Sequence, residues 1–265
     1  MTPQDVALTQ SAAAYWYLLR GSVPRMLELI YWPTVQMVLW GFISSFFMTH
    51  SSWVAQAAGI LISGVLLWDS LFRAQLGLSI SFLEDLWSRN LGHLFVSPLR
   101  PTEWVAALMT ISLIRTLFGF IPASILAVVL YQYSIFEMGL PLVAFFLNLI
   151  IMGWALGLMI IAAILRLGLG AESLAWVAVF ILAPLSAVYY PVDSLPTWLH
   201  PISLALPSTH VFEGMRAAMF DQVFATDHFF KAVAWNALYM LIGMLTFLRA
   251  HYMVRVRGGV LNQGE

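Results

Sequence analysis

The sequence is poor in charged residues and contains no cysteine. Only 9% of its 265 residues are Asp, Glu, Lys or Arg, whereas 61% are hydrophobic. A soluble globular domain carries about 25% charged residues, so this chain lacks the polar groups that would cover a water-facing surface. The absence of cysteine excludes disulfides, thiolate metal ligands and a cysteine nucleophile. The composition therefore predicts an integral membrane protein.

Basic residues are also scarce, and the only lysine is Lys231. With 12 Lys and Arg against 13 Asp and Glu, the chain has no basic stripe of the kind that binds nucleic acid, and no nucleic-acid partner is expected. The phosphate-binding pattern G-x-x-x-x-G-K-[ST] needs a lysine after glycine, but Lys231 follows His-Phe-Phe. The chain is therefore not expected to bind ATP by that route.

Six stretches are long and apolar enough to cross a bilayer, which takes about 20 residues at 1.5 Å per residue. The predicted spans are 29–48, 53–77, 104–131, 140–165, 174–190 and 229–250. Positive residues are retained on the cytoplasmic side. With the N-terminus inside, nine arginines fall in inner segments, and only Arg216 and Lys231 fall in outer ones. Both termini are therefore predicted to be cytoplasmic.

The residues before the first span predict a further helix. Thr2 and Pro3 are an N-cap and a first helical residue, and the helix is expected to end near Leu19. Its cluster Tyr15-Trp16-Tyr17 suits the headgroup layer. Residues 1–27 are therefore interpreted as an interfacial helix on the inner leaflet, with a frayed tail as the alternative.

The stretch 79–103, between the second and third spans, predicts an amphipathic helix over 82–96. Ser81 and Glu84 form a capping box, and Ser97-Pro98 ends the helix. One face is apolar, and the other carries Glu84, Asp85, Ser88, Arg89, Gly92 and His93. Such a helix either seals the inner surface of the membrane or docks a cytoplasmic partner and passes its motion to the spans.

The outer stretch 191–228 contains four prolines, Pro191, Pro196, Pro201 and Pro207, which forbid one continuous helix. Short half-helices that dip back into the outer leaflet fit this pattern, provided that protein covers their free backbone groups. Further on, Glu213 and Arg216 are spaced to pair at i, i+3. His200 and His210 are interpreted as interfacial residues rather than as metal ligands, so no metal site is expected.

Two ionisable residues fall within predicted spans, Asp69 and Arg115, and an isolated charge there costs several kcal/mol. Asp69 is expected to pair with Arg73 at i+4, although a pair with Arg115 stays open. Arg115 either lines an aqueous route or contacts an anionic substrate group. Glu28, at the mouth of the first span, is its partner or an interfacial residue.

The predicted outer face is rich in aromatic residues. These side chains form an ordinary aromatic belt or stack against sugar rings on an exit path, and they are Tyr131, Tyr133, Tyr189, Tyr190 and Trp198. On the fourth span, Gly153 and Gly157 form a GxxxG pattern, which favours close helix packing over substrate contact.

Two segments carry a resemblance to a known family: FLEDLWSRNLGHLFVSPLRPTEW and YPVDSLPTWLHPISLALPSTHVFEGMR. They resemble the coupling helix and the outer Pro…LP…P…LP…E..R motif of ABC-2 type exporter permeases. The residues that match the outer motif are Pro191, Pro196, Pro207, Glu213 and Arg216. Within that family, the chain looks most similar to carbohydrate and lipo-oligosaccharide exporters, followed by drug-resistance permeases.

The resemblance implies a single all-α transmembrane domain over 1–265, with six spans, an inner interfacial helix, a coupling helix and a re-entrant segment. It further implies a homodimer in the bacterial inner membrane, bound to two copies of a separate ATPase that holds ATP and magnesium. The ATPase would dock on Glu84, Asp85, Ser88, Arg89 and His93, and the chain itself would not be an enzyme.

Two other function classes fit the sequence less well. An intramembrane protease would require the motif G-x-S-G on one span and a histidine inside another. Residues 59–64 read GILISG, which lacks that spacing. An ion-driven secondary transporter would be expected to show inverted repeats and more carboxylates at mid-membrane than Asp69.

Overall fold

The computed structural model of the chain describes residues 52–220 and 222–257. The predicted interfacial helix, the predicted first span and Glu28 lie outside these residues. The described part forms helices and turns and contains no strand. Eight α-helices are numbered here in chain order: α1 Ser52–Trp87, α2 Leu91–Val96, α3 Pro101–Tyr131, α4 Leu140–Leu167, α5 Leu174–Leu185, α6 His200–Leu204, α7 Pro207–Phe220 and α8 Thr226–Arg257.

Within the described residues, four helices are long and apolar enough to cross a membrane: α1, α3, α4 and α8. They confirm the second, third, fourth and sixth predicted spans as helices. Helix α1 is the most buried of the four and packs against both α3 and α4, while α4 also packs against α8. The last turns of α1, α4 and α8 and the first turn of α3 share what we call the basic end, which carries Arg89, Arg100, Arg166, Arg249 and Arg255. The opposite end, with residues 132–139, 186–220 and 222–225, is called the loop end.

Glycine allows α4 to approach α1 closely. A Cβ atom added at Gly153 would lie 2.8 Å from the Cβ of Ala74 and 2.8 Å from the carbonyl oxygen of Leu71. A Cβ atom at Gly157 would lie 2.9 Å from Leu78. Since real Cβ atoms do not approach so closely, only glycine fits this contact. The interpretation of the GxxxG pattern as a packing motif is confirmed.

The fifth predicted span is shorter than the sequence indicated. Helix α5 has 12 residues, Leu174–Leu185, which at 1.5 Å per residue is about 18 Å long and well short of a span. The prediction of a helix through residue 190 is therefore wrong. The chain turns after Ser186, because Ala187 adopts a left-handed conformation with φ of 50°.

The amphipathic helix predicted over 82–96 is not a separate helix. Helix α1 continues without a break to Trp87, and the chain turns only at residues 88–90 before the six-residue helix α2. Ser81 does not cap a helix start, since its hydroxyl donates to the carbonyl of Gly77 within α1. A serine hydroxyl can also donate to the carbonyl four residues earlier within a helix, so Ser81 does not mark a helix start.

Candidate functional site

The turn that separates α1 from α2 is fixed by Asp85. Its backbone carbonyl accepts hydrogen bonds from the Asn90 amide at 2.9 Å and from the Ser88 hydroxyl at 3.2 Å. Its carboxylate accepts one from the Asn90 side chain at 3.2 Å. These bonds hold Arg89 at φ of 57°, a left-handed conformation that few non-glycine residues adopt. Three hydrogen bonds to Asp85 therefore stabilise the turn.

The five residues predicted to dock a partner separate into two groups. Ser88, Arg89 and His93 are exposed on the turn and on α2. In contrast, Asp85 is buried and Glu84 is mostly covered, so these two carboxylates do not belong to one exposed polar face. The observed polar surface is smaller than predicted, and its charge is carried by Arg89.

Five aromatic side chains meet at the basic end in a cluster that we call the aromatic joint, formed by Phe82, Phe95, Trp104, Phe247 and His251. The ring of Phe95 on α2 lies 5.0 Å from His251 on α8 and 6.4 Å from Trp104 on α3, measured between centroids. Trp104 in turn lies 5.7 Å from Phe82 on α1. The joint thus connects the short helix α2 to three long helices at once.

Sequence reasoning missed the joint. The joining residues lie on four helices that are distant along the chain, and no local pattern connects them. One signal was available: Trp104 and His251 are polar aromatic residues at the same predicted membrane edge, where such side chains gather.

Two ion pairs lie along α1, both largely covered. Asp69 accepts a hydrogen bond from Arg73 at 2.6 Å, which confirms the pair expected at i+4. Arg115 donates to Glu84 at 3.1 Å, so the alternative of a pair between Arg115 and Asp69 is wrong. Glu84 was not predicted as the partner of Arg115, because the sequence pattern placed it on an exposed polar face. Side chains lean towards the N-terminus of their own helix, and since α1 and α3 are antiparallel, the two side chains lean towards each other.

The Arg73 side chain fills the space beside a glycine of α3. A Cβ atom at Gly119 would lie 2.6 Å from Nε of Arg73, so a larger residue would displace the guanidinium group. The guanidinium group of Arg73 is therefore held between Asp69 of its own helix and Gly119 of α3.

At the loop end, Glu213 and Arg216 form the predicted i, i+3 pair, with 2.8 Å between Oε1 and Nη2. The pair also binds backbone. Glu213 accepts from the amide of Val192 at 2.8 Å, and Arg216 donates to the carbonyl of Ala187 at 2.9 Å. We call these four residues the loop clamp, since they fasten the chain after α5 to helix α7.

The prolines of the loop end stand at element boundaries. Pro191 and Pro196 each precede a 3₁₀ turn, Val192–Ser194 and Thr197–Leu199, and Pro207 begins α7. The prediction that proline excludes one continuous helix is confirmed. Helix α7 is buried over most of its length, and Phe212 lies 6.3 Å from Trp68 on α1 between ring centroids.

The aromatic residues of the predicted outer face differ in how accessible their side chains are to a ligand. The Tyr133 hydroxyl lies 2.6 Å from the hydroxyl of Ser63, and the Tyr190 hydroxyl donates to the carbonyl of Pro184 at 2.6 Å. Tyr131 and Tyr189 also interact with neighbours. Trp198 is 69% exposed, which makes it the aromatic residue of this set most available for stacking.

The two histidines of the outer segment bond to backbone. Nε2 of His200 lies 2.9 Å from the carbonyl of Leu195, and Nε2 of His210 lies 2.9 Å from the carbonyl of Leu204. Nδ1 of His210 faces Nδ1 of His228 at 3.4 Å. Burial lowers the pKa of His210, and so do His228 and Lys231, although the Leu204 carbonyl and Asp227 oppose the shift. The pKa of His210 therefore lies below the ordinary value for histidine.

Comparison with known proteins identifies the family. The family model for the ABC-2 type transporter matches residues 14–220, and no curated protein matches the chain. Permeases of this family work in the lipid bilayer with a separate ATPase subunit and are not themselves catalytic. The matched range covers α1 to α7, which include the aromatic-joint residues of α1, α2 and α3, and the loop clamp. The chain therefore belongs to the ABC-2 type transporter family and is a membrane permease component of an ABC transporter.

Proposed function

We propose that this permease exports an amphipathic molecule, a lipid-linked glycan or lipo-oligosaccharide, from the bacterial inner membrane. In this proposal two copies of the chain assemble with two copies of the ATPase. The basic end and both termini lie in the cytoplasm, and the loop end faces outward. The excess of arginine at the basic end supports this orientation.

The observation that carries the proposal is the connection between α2 and the long helices. An ATPase that moves against the turn 88–90 would push on Phe95, and Phe95 contacts rings of α3 and α8. Because the cores of helix bundles are close-packed, a displacement of one ring shifts its neighbours. A motion at the cytoplasmic surface is thereby passed to helices that cross the membrane.

The docking surface in this proposal consists of Ser88, Arg89 and His93, which are exposed. Asp85 acts indirectly by fixing the turn that presents them. Arg89 supplies a charge that suits an acidic groove on the partner. Glu84 neutralises Arg115 inside the bundle and has no contact with the partner.

The substrate class is supported by the loop end. Trp198 exposes a flat indole ring of the type that stacks on sugars, and it follows the clamped segment 187–192 along the chain. Helix α7 is buried among the spans, which supports a re-entrant segment whose backbone groups are covered by protein.

The proposal is tested by purifying the full chain with its native ATPase and reconstituting the complex in vesicles. When ATP is added on one side of the vesicle membrane, a fluorescent lipid-linked glycan should move to the other side. Without ATP it should not move, and a dye-type drug should not be transported in either condition. Purified permease that recruits no ATPase from its host would contradict the proposal. A complex that transports the drug but not the glycan would contradict the substrate class alone.

A further inference from the structure

A groove of about 540 Å³ runs between α4 and α8 at the loop end. Its walls are residues at helical spacing, from Leu140 to Ile151 on α4 and from Phe229 to Met240 on α8. The wall residues are apolar except for Asn148 and Asn236. The groove is separate from the aromatic joint and from the loop clamp.

The length of the groove equals the depth of one leaflet. Each wall covers 11 residue steps, which at 1.5 Å per residue is about 16 Å. This is roughly half of the 30 Å hydrocarbon core. The groove begins near the first turns of α4 and α8, so it runs from the membrane surface at the loop end to the middle of the bilayer.

The two asparagines face the seam between the helices. Nδ2 of Asn236 donates to the backbone carbonyl of Asn148 at 3.0 Å and to its side-chain oxygen at 2.9 Å. Asn236 is 2% exposed and Asn148 is 5% exposed. The surface that an occupant would touch is therefore hydrocarbon. The bonds between the asparagines also set the distance between the two walls.

The groove is closed towards the basic end. A Cβ atom at Gly243 would lie 2.7 Å from the carbonyl oxygen of Ala155, so α4 and α8 touch there. A transmembrane helix that packed along the groove would need about twice its length. A single hydrocarbon chain that enters from the loop end fits the groove better. It has the length of the groove, it can end where α4 and α8 touch, and it needs no charged partner on the walls.

We propose that this groove binds one acyl chain of a phospholipid from the leaflet at the loop end. The occupant would cover Val143, Leu147 and Val233, which are about half exposed. It would lie beside Phe145, whose ring contacts Gly214 of α7 and Phe224. A bound chain would thus brace the α4–α8 pair on which α7 packs.

The test uses a phosphatidylglycerol with a diazirine midway along one acyl chain, added to the full chain in lipid nanodiscs. Mass spectrometry should find saturable labelling at the groove-wall residues within 140–151 and 229–240. Ala237 lies in the groove wall, so Ala237→Phe should fill the groove and lower this labelling about fivefold, a loss near 1 kcal/mol of binding. Ala234→Phe is the matched control, because Ala234 is also exposed on α8 but lies outside the groove.

Three results would overturn the proposal. In the first, Leu238, which is as exposed as Val233, is labelled equally and the groove-filling variant has no effect. In the second, a cysteine at Leu147 forms a disulfide with one placed in 29–48. In the third, it forms a disulfide with a second copy of the chain. The natural chain has no cysteine, so these disulfides are unambiguous. If Ala237→Phe fails to fold, Val233→Phe replaces it.

Discussion

At the scale of single residues, the loop clamp depends on one ion pair. Arg216 is buried, and the Glu213 carboxylate is its only charged partner among the contacts of the described residues. Removal of one member of a buried pair leaves an uncompensated charge, which costs more than the pair itself contributes.

We expect Glu213→Gln to lower the free energy of unfolding by about 3 kcal/mol, because Arg216 loses its counter-charge and stays covered. Thermal unfolding of the purified protein measures the loss. The control is Asp227→Asn, since the pair between Asp227 and Lys231 is exposed and solvent screens it. Equal melting temperatures for the two variants would contradict the role of the clamp.

His210 predicts a pH dependence at the same scale. The carbonyl of Leu204 can only accept, so Nε2 of His210 carries the hydrogen and its Nδ1 accepts from Nδ1 of His228. The pKa of His210 is lowered from 6.5 in the fold, first by burial and then by His228 and Lys231. As the pH falls through 6.5, the unfolded chain therefore takes up protons more readily at this histidine than the folded chain does, and stability falls as the pH falls.

We expect the melting temperature of the natural protein to drop on acidification from about pH 7.5 to about pH 5.5 by more than that of His210→Gln. His93→Gln, at an exposed position on α2, should keep the natural dependence. An identical pH profile for the natural protein and His210→Gln would show that His210 does not titrate in this way.

At the scale of elements, the short helix α2 contacts the long helices through the aromatic ring of Phe95. Phe95 makes two aromatic contacts, each worth about 0.5–1.5 kcal/mol beyond its buried area. The adjacent Val96 is 88% exposed. A substitution at Phe95 therefore removes the contact between α2 and the bundle, whereas a substitution at Val96 changes α2 without affecting that contact.

We expect Phe95→Ala to reduce ATP-driven transport about tenfold, which corresponds to 1.4 kcal/mol, while the ATPase stays bound. Val96→Ala should leave transport unchanged. Transport and ATP hydrolysis are measured on the same vesicles. A parallel loss of ATPase binding in Phe95→Ala would mean that the residue forms part of the docking surface instead.

The sequence predicted the long helices well, because 20 apolar residues in a row have few alternatives to a spanning helix. It also predicted local pairs such as Asp69–Arg73, which follow from helical spacing alone. It failed where tertiary contacts decide. The end of α5 depends on a bond from Arg216, 29 residues away, to Ala187, and the partner of Arg115 comes from an antiparallel helix, 31 residues away.

At the scale of the whole molecule, the two ends of the bundle differ in structure, and the proposed function assigns them different roles. The basic end presents Arg89 on a fixed turn, above the aromatic joint. The loop end presents Trp198 and holds α7 among the spans through the loop clamp. In the proposed function, the ATPase contacts the basic end, and the loop end stays free of it.

Site-specific photo-crosslinking tests this claim most directly. A photoreactive residue replaces Arg89 in one variant and Gln132 in another, since both side chains are exposed but lie at opposite ends of the bundle. In the complex with its copurified ATPase, the variant at Arg89 should form a crosslink to a polypeptide whose sequence contains a P-loop, and the variant at Gln132 should form none. A crosslink to the ATPase from position 132, with none from position 89, would contradict the account.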